Sequence, residues 1–448
     1  METMEIEKIE ELIEEKEYVR ANEALSTMNE ADVTEILAAC DPYKTLLLFR
    51  MLPKRLAAEV FSRFTPEQQL DIVSSVTSEE LKDIVNELYF DDKVDLIEEM
   101  PANMVKKILS VTGEKERELI NQFLNYPEDS AGSLMTIEYV DLKKHMTVRQ
   151  ALDRIKKTGM NKETIYTCYV TDAERRLEGI VSLRTLVTSD EDLVIGDIME
   201  PDIVRVNTHD DQENVAHSFK KYGYLALPVI DNENRLTGII TVDDIIDIME
   251  QEATEDFQRM AAMSPSEEAY LSTGVFAMAW QRLPWLLILM VSATFTGRIM
   301  GRYENILTQA VVLSAFIPML MDTGGNSGSQ TSTLVIRGLA LGDITTRDWW
   351  KVIWKEMSVS FLVGVALAVT NFVRLLLLEK IETPIALTVS ITIVVTVMAA
   401  KIVGGVLPLI AKLLKIDPAI MAGPLITTIV DALALMVYFV AATALLGL

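Results

Sequence analysis

Three rhythms of apolar and polar positions succeed one another along the chain. Between about residues 20 and 125 the period is short and helical. Pro53, Pro66, Ser78, Asp91 and Pro101 each open a segment of ten to thirteen residues with apolar positions at helical spacing. Leu-Lys-Asp-Ile-Val-Asn-Glu-Leu, following Ser78, is typical. Proline, serine and aspartate favour helix starts, so this stretch predicts short helices stacked in a superhelical layer. The first twenty residues, rich in glutamate, predict one acidic helix. The second rhythm is a duplication. Ser133-Leu-Met-Thr opens one copy and Asp197-Ile-Met-Glu the other, and Leu177-Glu-Gly-Ile-Val-Ser-Leu-Arg returns as Leu236-Thr-Gly-Ile-Ile-Thr-Val-Asp, 59 residues later. Each copy alternates short β-type runs (Tyr166–Val170, Ala226–Ile230) with helical ones (Val148–Lys157, Gln212–Lys221). The third rhythm begins at Leu283 with long uncharged stretches: Leu283–Gly297, Asn305–Met321, Met357–Val373, Thr383–Ala411 across Lys401, and Pro418–Leu448 across Asp431. A bilayer core needs about 20 mostly apolar residues per helix, and with their flanks these stretches predict five spans.

Charge sharpens the division. The 448 residues carry a formal net charge of −25. From Leu283 onward there are 11 basic and 9 acidic side chains, leaving 30 and 57 for residues 1–282, a net of −27. A front half this acidic argues against nucleic acid, which selects basic faces, and favours small cations or basic partners. Two cysteines, Cys40 and Cys168, exclude a disulfide framework and suit a reducing cytosol. The acidic start has no apolar signal segment, so the front half is expected in the cytoplasm. Five spans then put the C-terminus outside. Arg337, Arg347, Lys351, Lys355, Lys412 and Lys415 fall in cytoplasmic loops under this topology, whereas Arg302 and Lys380 fall opposite.

The candidate chemistry lies in carboxylates. Asp243–Met263 carries acids at helical spacing, so one face would present Asp244, Asp247, Glu252, Glu255 and Asp256. Like charges this dense destabilise a helix unless neutralised, so divalent cations are one reading and a solvated linker the other. Asp431, within Ile-Thr-Thr-Ile-Val-Asp-Ala-Leu, sits at membrane depth. A central carboxylate costs about 2.5–3.5 kcal/mol on insertion scales, so by default it faces a pore; the alternative is a structural role, capping a neighbouring helix or pairing with Lys401. Mg²⁺ dehydrates reluctantly and commonly uses one or two carboxylates, so one such Asp per subunit suits a hydrated ion in a two-fold dimer. Asp322-Thr-Gly-Gly-Asn-Ser-Gly-Ser-Gln ends the predicted second span, where small residues permit close backbone approach and non-helical backbone can line a water-filled path. Gly325-Asn-Ser-Gly also fits an intramembrane serine protease pattern, but His145, His209 and His217 all precede the first span.

The duplication resembles a tandem of CBS domains. Gly238-Ile-Ile-Thr-Val-Asp-Asp matches that family's ribose-contacting pattern at Thr241 and Asp244, whereas the first copy has Thr185 in place of the Asp; a purely structural pair is the alternative. Over nearly its whole length the chain is similar to MgtE-type magnesium transporters. The carriers are Tyr126-Pro-Glu-Asp-Ser-Ala-Gly-Ser-Leu-Met-Thr, the acidic connecting segment, Thr323-Gly-Gly-Asn-Ser-Gly-Ser-Gln, Asp417-Pro-Ala and Asp431. The resemblance implies a multidomain membrane protein. An α-helical superhelical N-terminal domain (1–128) would precede an α+β CBS pair (129–192 and 193–250). A long acidic connecting helix (243–275) and a five-helix transmembrane domain (276–448) would follow. It implies a homodimer in the cell membrane moving Mg²⁺ into the cytoplasm, with Gly324, Gly325 and Asn326 as pore motif. Asp431 would hold the ion, with Thr427 one turn earlier and Asp417 near the cytoplasmic mouth. Glu59, Asp91 and Asp95, Asp211 and Glu213, and Asp244, Asp247, Glu252, Glu255 and Asp256 would bind regulatory Mg²⁺. The chain departs at Gly223, where a family member can supply a carboxylate opposite Glu59. ATP at the CBS pair stays open, as do Co²⁺ or Ni²⁺ as cargo, a CBS-regulated anion or solute transporter, and a membrane-anchored nucleotide sensor. No enzymatic activity is expected.

Overall fold

The computed structural model describes residues 9, 11–266, 270–271 and 273–447. It divides into two compact units, Met1–Met249 and Glu250–Leu448. In the first, short helices follow one another: Lys54–Ser62, Pro66–Ser75, Ser78–Glu87, Phe90–Glu99 and Ala102–Val111. Their starts are encoded locally. Thr65 with Gln68, and Thr77 with Glu80, form reciprocal capping boxes that satisfy backbone donors otherwise left without partners. Alternate helices pack together, Glu30–Ala38 on Lys54–Ser62, that helix on Ser78–Glu87, and that on Ala102–Val111, which winds the layer into a superhelix. Of the acidic helix expected over the first twenty residues, 1–8 and 10 lie outside the described residues. Where the chain is described, helix at 11–14 stops at Lys16, whose φ is +63°, and a new helix starts at Tyr18.

The duplication folds as two three-stranded sheets of one topology. β1 (Val140–Leu142) lies parallel to β2 (Thr167–Thr171), which is antiparallel to β3 (Leu177–Ser182). β4 (Val206–Asn207), β5 (Ala226–Ile230) and β6 (Leu236–Thr241) repeat the pattern. Even the register irregularity recurs 59 residues on, between Val170 and Thr171 and between Val229 and Ile230. Tyr139, Tyr169, Leu177, Ala226, Leu236 and Ile239 form a core between the copies, while the second copy shares its main core with the helical layer. Gly223 ends the helix Gln212–Tyr222 at φ +67°, a left-handed position that favours glycine, and a side chain there would find open space.

The connecting helix runs Val242–Met260, shorter than 243–275. Among the described residues four helices are long and apolar enough to cross a membrane: Val275–Arg302, Thr346–Leu377, Thr383–Leu413 and Pro418–Leu446, the second and fourth counted with the 3₁₀ turn that opens each. The stretch predicted as the second span, Asn305–Met321, is instead broken into Glu304–Gln309, a 3₁₀ segment Val311–Phe316, and the start of a 24-residue helix, Ile317–Ala340. The Gly-Gly-Asn motif therefore lies inside a continuous helix and not on irregular backbone. Its glycines are spent on close helix packing, and its polar content keeps the helix below the hydropathy of a span. This motif helix packs on Thr383–Leu413 and on the final helix, Gly423–Leu446. Tyr438 donates from its hydroxyl to the Leu313 carbonyl at 2.9 Å, tying the final helix to the 3₁₀ segment.

Candidate functional site

The glycines of the motif are where the two helices need them. A Cβ on Gly325 would stand 2.7 Å from Thr427 Cγ2, one on Gly324 2.9 Å from Val430 Cγ1, and one on Gly328 2.8 Å from Ile426 Cγ2. No side chain fits, so the motif helix rests its backbone against the Thr427 turn. Thr427 donates its hydroxyl to the Gly423 carbonyl at 2.7 Å, as a helical threonine does when its Oγ turns back. Asp431 is one turn further on. Its Oδ1 is buried and has no hydrogen-bond partner. Of the two structural alternatives, the pair with Lys401 does not form, because Lys401 donates to Thr331 Oγ1 at 3.3 Å. Asn326 and Asp322 are exposed on another face of the motif helix, where Asn326 Nδ2 donates to Asp322 Oδ1 at 3.0 Å. Asp322 also acts electrostatically on Asp431, so a second carboxylate belongs to this region. Asp417 does not: fourteen positions before Asp431, it lies roughly 20 Å away along the chain's helical rise. There it accepts from Ala419 N at 2.7 Å, starting the 3₁₀ turn Pro418–Met421, and pairs with Arg259, which also holds Glu255.

The acids of the first unit converge on a cavity of about 590 Å³. Ten carboxylates line it against Arg55, Arg63 and Lys93. The basic side chains are already engaged: Arg55 with Glu59 at 2.9 Å, Arg63 with Glu30 at 3.7 Å, and Lys93 with Glu116 at 2.7 Å. Of the predicted ligands, Glu59, Asp91, Asp244 and Asp247 face this space. Asp95 lies on the helix of Asp91 but does not line it. Asp211 and Glu213 do not either; Asp211 caps the helix Gln212–Tyr222 by accepting from Glu213 N at 2.9 Å. Glu252, Glu255 and Asp256 lie further along the connecting helix.

Six lining acids escaped sequence reasoning: Glu30, Glu87, Asp92, Glu138, Glu163 and Asp243. Asp92 and Asp243 neighbour predicted ligands and were legible as adjacent pairs. Glu138 and Glu163 stand in loops of the first copy with no periodic signal. Glu163 N donates to the Glu138 carbonyl at 2.9 Å, and Glu138 Oε2 accepts from Phe90 N at 3.3 Å, which brings both to the Asp91 helix.

Crowding makes the anionic forms costly. Burial first, then the Asp244 charge, pushes Asp92 up to about 7; burial with Asp244 and Asp243 pushes Glu163 up to about 8. Asp244 rises to about 6, mainly by burial, with the Thr241 hydroxyl bond opposing the rise. Burial holds Asp91 well above the ordinary range, helped by Asp92. Among the described residues no three acidic, histidine or cysteine side chains close into a tight cage. Glu163 Oε2 is buried without a hydrogen-bond partner.

Asp244 belongs to a second pattern too. Thr241 donates from its hydroxyl to Asp244 Oδ2 at 2.7 Å, at the turn from β6 into the connecting helix. The equivalent pair in the first copy, Ser182 and Thr185, is joined hydroxyl to hydroxyl at 2.8 Å and lacks the carboxylate.

Comparison with known proteins agrees with this layout. The profile of a family described as divalent cation transporter matches residues 317–441, that of the MgtE intracellular N domain residues 28–129, and that of the CBS domain residues 131–192 and 195–251. The magnesium transporter MgtE of Thermus thermophilus is 37% identical over 97% of this chain and 99% of its own. That of Bacillus subtilis is 31% identical over 92% of this chain and 94% of its own. Two crystal structures align with the front of the chain. The soluble part of a magnesium transporter is 30% identical, with TM-score 0.53, covering 56% of this chain and all of that one. The cytosolic domain of the Mg²⁺ channel MgtE in complex with ATP is 33% identical, with TM-score 0.52, covering 54% and 99%. With an N domain, a CBS pair and an apolar helical region in this order, and two relatives matched almost end to end, the chain belongs to the MgtE family of divalent cation transporters.

Proposed function

We propose that the protein carries Mg²⁺ across the cell membrane into the cytoplasm, down its electrochemical gradient. In this reading the ion passes along the motif helix and the final helix. The observation that carries it is the unpartnered, buried oxygen of Asp431 on an apolar helix, one turn from the backbone contact of Gly325 with Thr427. A carboxylate left so would be disfavoured in a merely structural role. Asp322 and Asn326, exposed on the motif helix, form the open side of a half-path that a second copy completes. Such a homodimer would hold one hydrated ion between paired Asp431 side chains, with Asp417 nearer the cytoplasm. Two charged groups of the apolar region are engaged elsewhere, Lys401 with Thr331 and Arg374 with Glu379 at 2.9 Å, which disfavours an anion as cargo. The exposed aromatic run Trp349, Trp350 and Trp354 supports a membrane interface at that helix start, beside the basic residues Arg347, Lys351 and Lys355 of the cytoplasmic side.

The acidic cavity supplies the control. Its carboxylates repel one another without a cation and are drawn together when cytosolic Mg²⁺ binds. The connecting helix, which carries Asp244 and Asp247, then moves and closes the path, a shift set by the difference in Mg²⁺ affinity between closed and open states. ATP would bind at Thr241 and Asp244 of the second CBS copy. Vesicles containing the purified protein and an Mg²⁺ indicator test the reading. Uptake should follow the Mg²⁺ gradient and fall as Mg²⁺ rises on the side facing the front half. In the triple variant Asp244→Asn, Asp247→Asn, Glu255→Gln, high flux should persist. Inhibition unchanged in that variant would remove the sensor, and absent uptake by folded wild type would remove the transport reading itself.

A further inference from the structure

Lys401 is a cation inside the apolar region, only 5% exposed, on a helix with no acidic neighbour in its own sequence from Thr383 to Leu413. A lysine buried in this way needs an opposite charge. The structure reaches one indirectly. Lys401 Nζ donates to Thr331 Oγ1 at 3.3 Å, and the same hydroxyl donates to Glu356 Oε2 at 2.8 Å. Thr331 is fully buried, so its single proton is committed to the carboxylate while its lone pairs face the ammonium. Three helices meet here, and Gly405 makes room: a Cβ there would stand 3.5 Å from Thr331 Cγ2 and 3.7 Å from Glu356 Cγ.

The place of this relay gives it meaning. A Cβ on Gly328, one turn before Thr331, would meet Ile426 Cγ2 at 2.8 Å and both Ala400 O and Val430 Cγ2 at 3.2 Å. Ala400 directly precedes Lys401 and Val430 directly precedes Asp431, so the relay lies about one turn from the contact between the motif helix and the Thr427–Asp431 turn. We propose that Glu356 is a charge-compensating, positioning residue: acting through Thr331, it cancels Lys401 so that a divalent cation passes a neutral wall. This rests on the transport reading above. An uncompensated unit charge there would repel a doubly charged ion with twice the force it exerts on a monovalent one.

The test is Mg²⁺ uptake by vesicles holding the full-length protein, as wild type, Glu356→Gln, and Glu356→Gln with Lys401→Met, alongside detergent melting curves. Glu356→Gln is expected to cut Mg²⁺ uptake roughly tenfold, and removing the lysine charge in the double variant to restore most of it. Thr331→Val should resemble Glu356→Gln, since it breaks the link. A melting temperature rescued without rescue of uptake, or a Glu356→Gln variant as active as wild type, overturns the proposal. A silent wild type overturns the transport reading on which it rests.

Discussion

Replacing Gly404 by alanine probes the contact that sets the distance between the motif helix and its neighbour. A methyl there would lie closer than 3.0 Å to the Gly328 carbonyl oxygen. That oxygen is backbone and has no rotamer to escape into. To regain an ordinary contact of 3.4 Å the helices must part by at least about 0.4 Å. Overpacking costs about 1–3 kcal/mol, and a rigid opponent puts this site at the upper end. Alanine returns about 1 kcal/mol of helix propensity. The net is a loss of about 2 kcal/mol, or about 4–8 °C in melting temperature for a unit of this size. Thermal unfolding of the purified protein in detergent measures it. Gly405→Ala, whose nearest neighbour is a side-chain methyl, Val352 Cγ1 at 3.2 Å, should cost less. Gly297→Ala, with nothing within 4 Å, should be neutral or slightly stabilising. A Gly404→Ala protein that melts at the wild-type temperature, or no lower than Gly405→Ala, would refute the packing argument.

Two further outcomes follow from the acidic cavity. Asp92 and Glu163 have folded-state pKa values of about 7 and about 8, above their ordinary 3.8 and 4.5. The folded state thus binds more protons than the unfolded state between those limits, and the associated stability is lost as pH rises through 7 to 8. In a chelator the melting temperature should therefore fall over this window, and saturating Mg²⁺ should abolish the decline; a melting temperature that rises with pH in chelator would contradict it. Asp244 lines the cavity and also accepts from Thr241. Asp244→Asn should therefore weaken both Mg²⁺ and ATP binding in titration calorimetry, whereas Asp247→Asn should weaken Mg²⁺ alone by roughly tenfold; equal effects of the two variants on ATP would count against the nucleotide assignment.

Much of this was legible because it is local. Pro53, Pro66, Ser78 and Pro101 fall within one residue of the helix starts, since capping and the fixed φ of proline act over a single turn. The 59-residue repeat carried the two sheets with their shared register irregularity. The break before Ile317 was not legible: apolar composition from Asn305 to Met321 is the same whether that stretch is one span or a helix, a 3₁₀ turn and the start of another helix. The helical state of Gly324 to Gly328 was hidden for a related reason, because glycine propensity argues against helix and only the partners Thr427, Ile426 and Ala400 overturn it. Among the lining acids, Asp244 and Asp247 could be read from spacing on one face of the connecting helix, and Asp91 from the family resemblance. Glu138 and Glu163 could not, because tertiary folding alone brings their loops to Asp91. Asp211 has the residue type of a ligand and the hydrogen bond of a helix cap.

Asp431 is where the transport reading is most exposed, and Mg²⁺ uptake by wild type and Asp431→Ala in matched vesicles tests it. The expected result is uptake that disappears in the variant while its folding and oligomeric state stay those of wild type. Uptake of equal rate in both would mean that the unpartnered carboxylate does not meet the ion, and that the path lies elsewhere.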